Sequence, residues 1–273
     1  MSSREIQFLT VKNDAGGNVK IAYSHAPIAG SNEPGIVWFC GFKSEMTSTK
    51  VTALREWAVR TNRSMLSFDY SGHGKSGGEF TRGTIGEWLN ESLTMLRDVA
   101  RGPQILVGSS MGAWLVLLIL RAIARGDPRA AGVCPVAGAV LIAPAWDMTE
   151  ELMWKQFSVA AREALESDGF FERPSRYGDG PYKISKALIE EGRQHLIGND
   201  SFKPPCPVRI IHGVNDPDVP WRHSDKLIRI LEGENVMLNL VHDGDHRLSR
   251  DEDIDKLFAI VEDLYRSLSK NQH

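Results

Sequence analysis

The most informative stretch of this chain reads Gln104-Ile-Leu-Val-Gly-Ser-Ser-Met-Gly-Ala-Trp-Leu115. It contains a G-x-S-x-G pentapeptide at residues 108–112, directly after a short apolar run and directly before a longer apolar segment. A serine at such a strand-to-helix corner exposes its Oγ at the C-terminal edge of a parallel sheet. The alternative is a glycine-rich turn capped by a serine. The predicted strand before the motif and the predicted helix after it favour Ser110 as a nucleophile.

Composition and charge indicate an ordinary globular protein. The chain has 273 residues, of which 42% are hydrophobic and 25% charged, enough for a buried core. A net charge of −3 gives no electrostatic reason to expect nucleic acid or an anionic membrane as a partner. The three cysteines are widely spaced and show no zinc-binding pattern, so we expect free thiols in a reducing compartment. We therefore expect no metal and no cofactor.

The N-terminus carries no recognisable targeting signal. Residues 1–8 have neither the apolar region of a signal peptide nor the arginine-rich pattern of a transit peptide. The longest apolar run, Ala113 to Leu120, is too short to span a bilayer. We therefore expect a cytoplasmic protein without stable membrane anchoring, and the sequence leaves its oligomeric state open.

Short apolar strands alternate with amphipathic helices along most of the chain. Helices between buried strands are typical of βαβ units, so the pattern predicts an α/β fold with a mostly parallel central sheet and helices on both faces. The predicted strands are Glu5–Val11, Val19–His25, Ile36–Cys40, Ser64–Asp69, Ile105–Val107, Ala139–Ala143, Val208–His212 and Val236–Val241. The predicted helices are Thr49–Thr61, Thr84–Ala100, Met111–Arg125, Ser224–Leu231 and Asp251–Leu268.

The alternation breaks between residues 146 and 205, a segment richer in charged and aromatic residues. We expect an inserted helical cap here, with helices at Glu150–Glu166 and Ile184–Leu196, on a core formed by residues 1–145 and 206–273. The first cap helix is expected to present Met153, Trp154 or Phe157 to an acyl pocket above the nucleophile. Packing of these side chains on the core is the alternative. Arg162, Arg173 and Arg176 would then be candidates for binding an anionic leaving group.

A nucleophilic serine needs a base, and the base needs an orienting acid. Asp216 follows the strand at 208–212 and is favoured as the acid over Asp218, which has an alternative role near the next helix start. His246 follows the last strand and is favoured as the base over His242, which lies at the strand end. A metal site formed by the His242–His246 cluster is the disfavoured alternative.

The oxyanion of an acyl-transfer intermediate needs two preorganised N–H donors. The N–H of Met111, at the start of the helix after the serine, is expected to be one. The N–H of Phe42, in the loop that begins at Gly41, is expected to be the other, although a packing role for the Phe42 ring is compatible with this. His73 lies in the glycine-rich loop at residues 71–78 and is expected to shape that loop, with a catalytic role as the alternative.

Six segments together resemble one branch of the α/β-hydrolase superfamily, that of a mitochondrial acyl-glucuronide esterase also described as a palmitoyl-protein thioesterase. They are residues 41–50, 68–72, 102–112, 173–177, 212–221 and 243–247, and the resemblance extends over residues 8–268. By position, it places the nucleophile, acid and base of the family on Ser110, Asp216 and His246. Residues 1–8 show no transit-peptide pattern, so we expect a protein more similar to a bacterial cytoplasmic relative, for which glucuronide substrates are not implied.

The resemblance and the residues together imply a serine hydrolase that cleaves carboxylic esters or thioesters, of small molecules or of acylated proteins, through an acyl-enzyme. A C–C bond hydrolase or a perhydrolase would use the same three side chains. A ligand receptor on a hydrolase scaffold belongs to a different class and is also compatible with the fold. Ser110 argues against the dehalogenases and epoxide hydrolases of this superfamily, which require an aspartate at the elbow. The acyl length and the leaving group stay open.

Overall fold

The computed structural model of the protein describes residues 5–13, 16–28, 33–174 and 180–270. Its strands are β1 (Gln7–Lys12), β2 (Asn18–Ala26), β3 (Gly35–Phe39), β4 (Met65–Phe68), β5 (Gln104–Ser109), β6 (Val136–Ile142), β7 (Phe170–Arg173), β8 (Tyr182–Ser185), β9 (Val208–Gly213) and β10 (Val236–Val241). Its α-helices are α1 (Thr49–Arg60), α2 (Ile85–Asp98), α3 (Met111–Ala124), α4 (Val159–Asp168), α5 (Lys186–Gly192), α6 (Arg222–Ile230) and α7 (Asp251–Lys270).

The central sheet has the strand order β1-β2-β4-β3-β5-β6-β9-β10. The first two pairings, β1 with β2 and β2 with β4, are antiparallel, and all the others are parallel. The predicted α/β fold with a mostly parallel sheet is therefore confirmed. The carboxyl ends of the parallel strands meet at one edge, where the loops after β3, β5, β9 and β10 come together.

The helices flank this sheet in two groups. Helix α1 packs against α7, where the ring of Trp57 stacks on that of Phe258 with 5.6 Å between centroids. Helix α2 packs against α3 and α5. The Thr84 hydroxyl caps the N-terminus of α2 by accepting a hydrogen bond from the Glu87 N–H.

Strand β3, which pairs with β5, and helix α3, which follows the nucleophile corner, are deeply buried. All five residues of β3 are buried, and so are the first ten of α3, because other elements cover this helix on all sides. The turn between β5 and α3 is therefore held on both sides by a close-packed core.

The structure corrects the predicted helices in the segment between β6 and β9. In place of one helix at Glu150–Glu166 there is a π-helix at Met148–Met153, a 3₁₀ turn at Trp154–Gln156, and α4. In place of a helix at Ile184–Leu196 there is strand β8, the shorter helix α5 and a 3₁₀ turn at Arg193–His195. Strand β8 pairs with β7 in a hairpin that the sequence analysis missed. The role of residues 146–205 as a cap stays a prediction.

Two further features bear on the expected environment. Cys40, Cys134 and Cys206 are free thiols, and Cys40 is fully buried. Within the described ranges, none of the helices combines the length and the apolar character needed to cross a membrane.

Helix α3 supports the nucleophile corner, so its packing is open to a direct test. We expect Leu117→Ala to lower the free energy of unfolding by about 2–5 kcal/mol, because the side chain is fully buried and its loss leaves a cavity. Val159→Ala in α4 is the control: Val159 is 73% exposed, and a change within about 0.5 kcal/mol is expected. Urea unfolding measures both, and equal effects would contradict this account of the core.

Candidate active site

Ser110 lies at a sharp corner between β5 and α3. Its backbone has φ 54° and ψ −117°, a conformation that side-chain-bearing residues rarely adopt and that costs of the order of 1–3 kcal/mol. Hydrogen bonds to the neighbouring strand end hold it there: the Ser110 N–H donates to the Ile142 carbonyl at 2.8 Å, and the Ala145 N–H donates to the Ser110 carbonyl at 3.2 Å.

The two glycines of the pentapeptide are required by close contacts. A Cβ on Gly108 would lie 2.6 Å from the Gly112 carbonyl oxygen, and a Cβ on Gly112 would lie 2.2 Å from the Phe39 carbonyl oxygen. Any larger residue would push α3 away from β3 or β5. The absence of both side chains lets the N-terminus of α3 approach the sheet and keeps Ser110 at its edge.

The structure brings together the serine, histidine and aspartate predicted from the sequence. The Ser110 hydroxyl can donate to His246 Nε2 at 3.1 Å, and His246 Nδ1–H donates to Asp216 Oδ2 at 2.7 Å. Because a carboxylate only accepts, the Asp216 contact fixes the proton on Nδ1 and directs the Nε2 lone pair at the serine. The arrangement can therefore transfer a proton from Ser110 to His246.

Asp216 is a buried carboxylate surrounded by donors, and its side chain has no solvent exposure. Its Oδ1 accepts the N–H groups of Asp218 and Val219, each at 2.8 Å. Burial raises the pKa of this carboxyl, but hydrogen bonds from His212 and His246, together with that from Val219, outweigh it and hold the pKa well below its usual range. Asp216 is therefore a fixed anion behind the imidazole of His246.

His212 is a functional neighbour that the sequence analysis missed. It is fully buried in β9, and its Nε2 lies 2.8 Å from the Val219 carbonyl oxygen and 3.2 Å from Asp216 Oδ2. Both partners accept, so Nε2 carries the proton, and Nδ1 lies 2.7 Å from the Ser224 hydroxyl. The only signal in the sequence is a histidine within an otherwise apolar strand end, four residues before the acid.

Of the alternatives to the favoured acid and base, Asp218 lies beside the network and His242 lies away from it. Asp218 contributes its backbone N–H to Asp216, and the described hydrogen bonds of His246 Nδ1 go to Asp216 alone. His242 is exposed in the turn after β10. Asp216, Asp218 and His246 place one ligand atom each within 4.8 Å of one another. Both oxygens of Asp216 already accept protein hydrogen bonds, which favours this network over a metal site.

The two expected oxyanion donors belong to segments next to Ser110, and their role stays a prediction. Met111 is the first residue of α3, so its N–H has no acceptor within the helix. Gly41 lies against the serine: a Cβ on it would be 3.4 Å from Ser110 Cβ and 3.3 Å from the Ser109 carbonyl oxygen. The following residue, Phe42, carries the other amide, and its ring packs 4.9 Å from that of Phe80.

A cavity of about 400 Å³ opens above Ser110 and His246. Its apolar lining includes Met148, Leu152 and Met153, all from the π-helix. Of the three residues expected to form an acyl pocket, Met153 lines this cavity and Trp154 and Phe157 do not.

Trp154 and Phe157 face other parts of the cap segment, which corrects the expectation. The guanidinium groups of Arg162 and Arg193 lie 4.9 and 5.0 Å from the centroid of the Trp154 ring. The Phe157 ring packs on that of Phe171 at 5.5 Å. The physical reason is the backbone: the π-helix that lines the cavity ends at Met153, and a 3₁₀ turn with a different side-chain period begins at Trp154.

The three arginines considered as binding groups for an anionic leaving group do not share one place in the structure. Arg173 lines the cavity, whereas Arg162 packs on Trp154, and Arg176 lies outside the described residues.

Lys50 is a further cation of the cavity wall. Its ammonium donates to the Arg247 carbonyl and, at 3.3 Å, to the Ser249 hydroxyl. Burial lowers the pKa of Lys50 to about 8. The contact fastens the start of α1 to the residue that follows His246.

Comparison with known proteins places these features in a family. The model of the alpha/beta hydrolase family matches residues 36–260. Among curated relatives, the mitochondrial palmitoyl-protein thioesterase ABHD10 of mouse is 35% identical over 239 residues, which cover 86% of this chain and 76% of the mouse protein. The human protein of the same name is 34% identical over 237 residues, covering 86% of this chain and 74% of the relative.

Solved structures of similar proteins have the same fold. A putative hydrolase from Agrobacterium vitis S4 is 39% identical with a TM-score of 0.88, covering 96% of this chain and 100% of that one. Alpha/beta hydrolase domain-containing protein 10 from mouse is 32% identical with a TM-score of 0.81, covering 97% of this chain and 99% of that one. This chain therefore belongs to the alpha/beta hydrolase family.

Proposed function

We propose that this protein is a serine hydrolase that cleaves carboxylic esters or thioesters through an acyl-enzyme. The observation that carries the proposal is the continuous hydrogen-bonded chain from the Ser110 hydroxyl through His246 to the buried anion of Asp216. This hydrogen-bonded series begins at a serine with a strained backbone, which precedes Met111 in the chain and lies against Gly41, the residue before Phe42. A nucleophile, a base, an orienting acid and an oxyanion site are the parts that acyl transfer requires.

The geometry supports a two-stage reaction. His246 Nε2 takes the proton of Ser110 as Oγ attacks the acyl carbon, and the negative oxygen of the tetrahedral intermediate accepts the N–H groups of Phe42 and Met111. His246 then gives the proton to the leaving alcohol or thiol, which leaves an acyl group on Ser110. Water attacks this ester with His246 again as the base, and release of the acid restores the serine. Asp216 keeps the proton of neutral His246 on Nδ1 throughout.

The substrate class follows from the cavity and from the relatives. The apolar wall of Met148, Leu152 and Met153 suits an acyl chain, and relatives that are 34–35% identical are named palmitoyl-protein thioesterases. We therefore propose acyl esters and S-acyl thioesters of medium or longer chain as substrates, carried by a small molecule or by a protein. The cytoplasmic location expected from the sequence stays a proposal beside relatives that are mitochondrial by name.

The nucleophile is tested by Ser110→Ala. We expect turnover of a p-nitrophenyl ester to be abolished, because no other group in the arrangement can form the acyl-enzyme, whereas folding should be retained. Ser109→Ala is the matched control and should keep most of the activity, since the structure gives no contact of the Ser109 side chain with His246. Steady-state kinetics and labelling by a fluorophosphonate measure the effect. Residual turnover of a few per cent or more in Ser110→Ala would rule out this nucleophile.

Replacing each carboxylate by an amide distinguishes the role of Asp216 from that of Asp218. Asp216→Asn should lower kcat by about 10⁴, because an amide nitrogen can donate to His246 Nδ1 and stabilise the wrong tautomer. Asp218→Asn should have at most a modest effect, since Asp218 reaches the network through its backbone N–H. The comparison needs kcat for both variants on one ester. A larger loss in Asp218→Asn would transfer the role of the acid to that residue.

Chain-length preference tests the acyl pocket. Each buried methylene contributes about 0.8 kcal/mol, so an octanoyl ester should be cleaved with a clearly higher kcat/KM than the acetyl ester of the same alcohol. The double variant Leu152→Ala with Met153→Ala should reduce this ratio. Phe157→Ala, which alters a side chain outside the cavity, should leave it unchanged. Equal kcat/KM values for the two esters in the unaltered protein would show that the cavity does not bind the acyl chain.

A further inference from the structure

The loop between β3 and α1, which carries Phe42, has an unusual backbone. Lys43 has φ 58°, a left-handed conformation that is costly for a residue with a side chain. Within the loop, the Ser44 N–H donates to the Gly41 carbonyl at 3.0 Å. Two other amides of the loop are held by side chains of the neighbouring segment, residues 69–75.

The first of these side chains is His73, which receives the Lys43 N–H at Nε2, 3.2 Å away. Its other ring nitrogen, Nδ1, lies 3.1 Å from the Ser71 carbonyl oxygen. An amide N–H only donates and a carbonyl only accepts, so the two partners specify the same tautomer. The proton is on Nδ1, and the Nε2 lone pair faces Lys43.

The surroundings keep the His73 ring in this uncharged state. It is 4% exposed and packs edge-on against the rings of Phe80 and Trp88, each 5.1 Å from its centroid, and against Tyr70 at 5.6 Å. Burial lowers the pKa of His73 to about 4. At neutral pH the ring therefore retains the lone pair that accepts the Lys43 N–H.

The second side chain is Asp69, which strengthens the same connection. Its Oδ1 accepts the Met46 N–H at 2.7 Å, and its Oδ2 accepts the Lys75 N–H at 2.9 Å. Gly74 makes this approach possible, because a Cβ on it would lie 2.1 Å from Asp69 Oδ2. The loop is thus fastened at residues 43 and 46 to one rigid neighbour.

We propose that His73 is a positioning residue of the oxyanion site: by accepting the Lys43 N–H it fixes the peptide between Phe42 and Lys43, which is the middle peptide of the turn closed by the Ser44 N–H and the Gly41 carbonyl. That turn holds the preceding peptide, between Gly41 and Phe42, which carries the Phe42 N–H. The inference rests on the proposed function, in which the Phe42 amide is an oxyanion donor. The backbone of Lys43 is strained. Without an acceptor for the Lys43 N–H, the turn at residues 41–44 would relax toward a commoner conformation and misdirect the Phe42 N–H. Such a donor acts through its placement before the reaction, and small displacements are costly.

Two variants separate the acceptor from the rest of the imidazole. His73→Asn retains an N–H donor near the position of Nδ1 and loses the acceptor for Lys43. His73→Gln can place its carbonyl oxygen near the position of Nε2 and loses the donor to Ser71. If His73 had a purely structural role, both variants would lose stability and activity together. If it positions the turn, His73→Asn should lose more activity than His73→Gln.

We expect His73→Asn to lower kcat for a p-nitrophenyl ester by about tenfold to hundredfold with KM changed by less than about threefold. His73→Gln should recover most of this loss. The proposal is overturned if the two variants lose kcat equally, if KM changes rather than kcat, or if His73→Asn is as active as the unaltered enzyme.

A measurement on the unaltered protein covers the case in which a variant does not fold. Nitrogen-15 chemical shifts of the His73 ring should show Nδ1 protonated and Nε2 unprotonated at neutral pH, and the opposite tautomer would overturn the proposal. Failure of the proposed function gives a different result: the unaltered protein would not turn over esters, or Ser110→Ala would be equally active. The nitrogen shifts do not depend on turnover, so they test the contact with Lys43 in either case.

Discussion

The arrangement of the site depends on one steric constraint, the close approach of the N-terminus of α3 to the ends of β3 and β5. Gly112 comes so near the Phe39 carbonyl that a Cβ would lie 2.2 Å from its oxygen. A Cβ on Gly108 would likewise lie 2.6 Å from the Gly112 carbonyl oxygen in α3. This approach accompanies the positive φ of Ser110, 54°, at the residue directly before the first N–H of α3. The strain is sustained because α3 is buried on all sides, so relaxing the corner would disrupt the core.

A second constraint is electrostatic. Asp216 is an anion without solvent exposure, and an unpaired buried charge would cost several kcal/mol. Four donors offset that cost: two backbone N–H groups of the following turn and the rings of His212 and His246. Three of them belong to the strand and turn that carry Asp216, so the carboxylate is already placed before His246 contributes. The base can therefore move a proton while the acid stays fixed.

The parts of the fold and site that the sequence predicted are those with a strong periodic or spacing signal. Buried strands such as β3 and the amphipathic helix α2 show the periodicities of their elements, and Ser110, Asp216 and His246 each follow a strand whose end lies at one edge of the sheet. The cap segment was predicted poorly because a π-helix followed by a 3₁₀ turn has no single period. At that break Met153 lines the cavity, whereas Trp154 contacts two arginines.

His212 and His73 show a different limit of sequence reading. Both are buried histidines whose importance lies in which ring nitrogen carries the proton, and the partners that decide this include backbone groups of nearby or distant turns. No residue pattern encodes a carbonyl at 2.8 Å or an amide at 3.2 Å. In this protein the side chains proposed to react follow strand ends and can be read from the chain. The side chains that orient them have partners that exist only once the loops after β3, β4 and β9 have packed together.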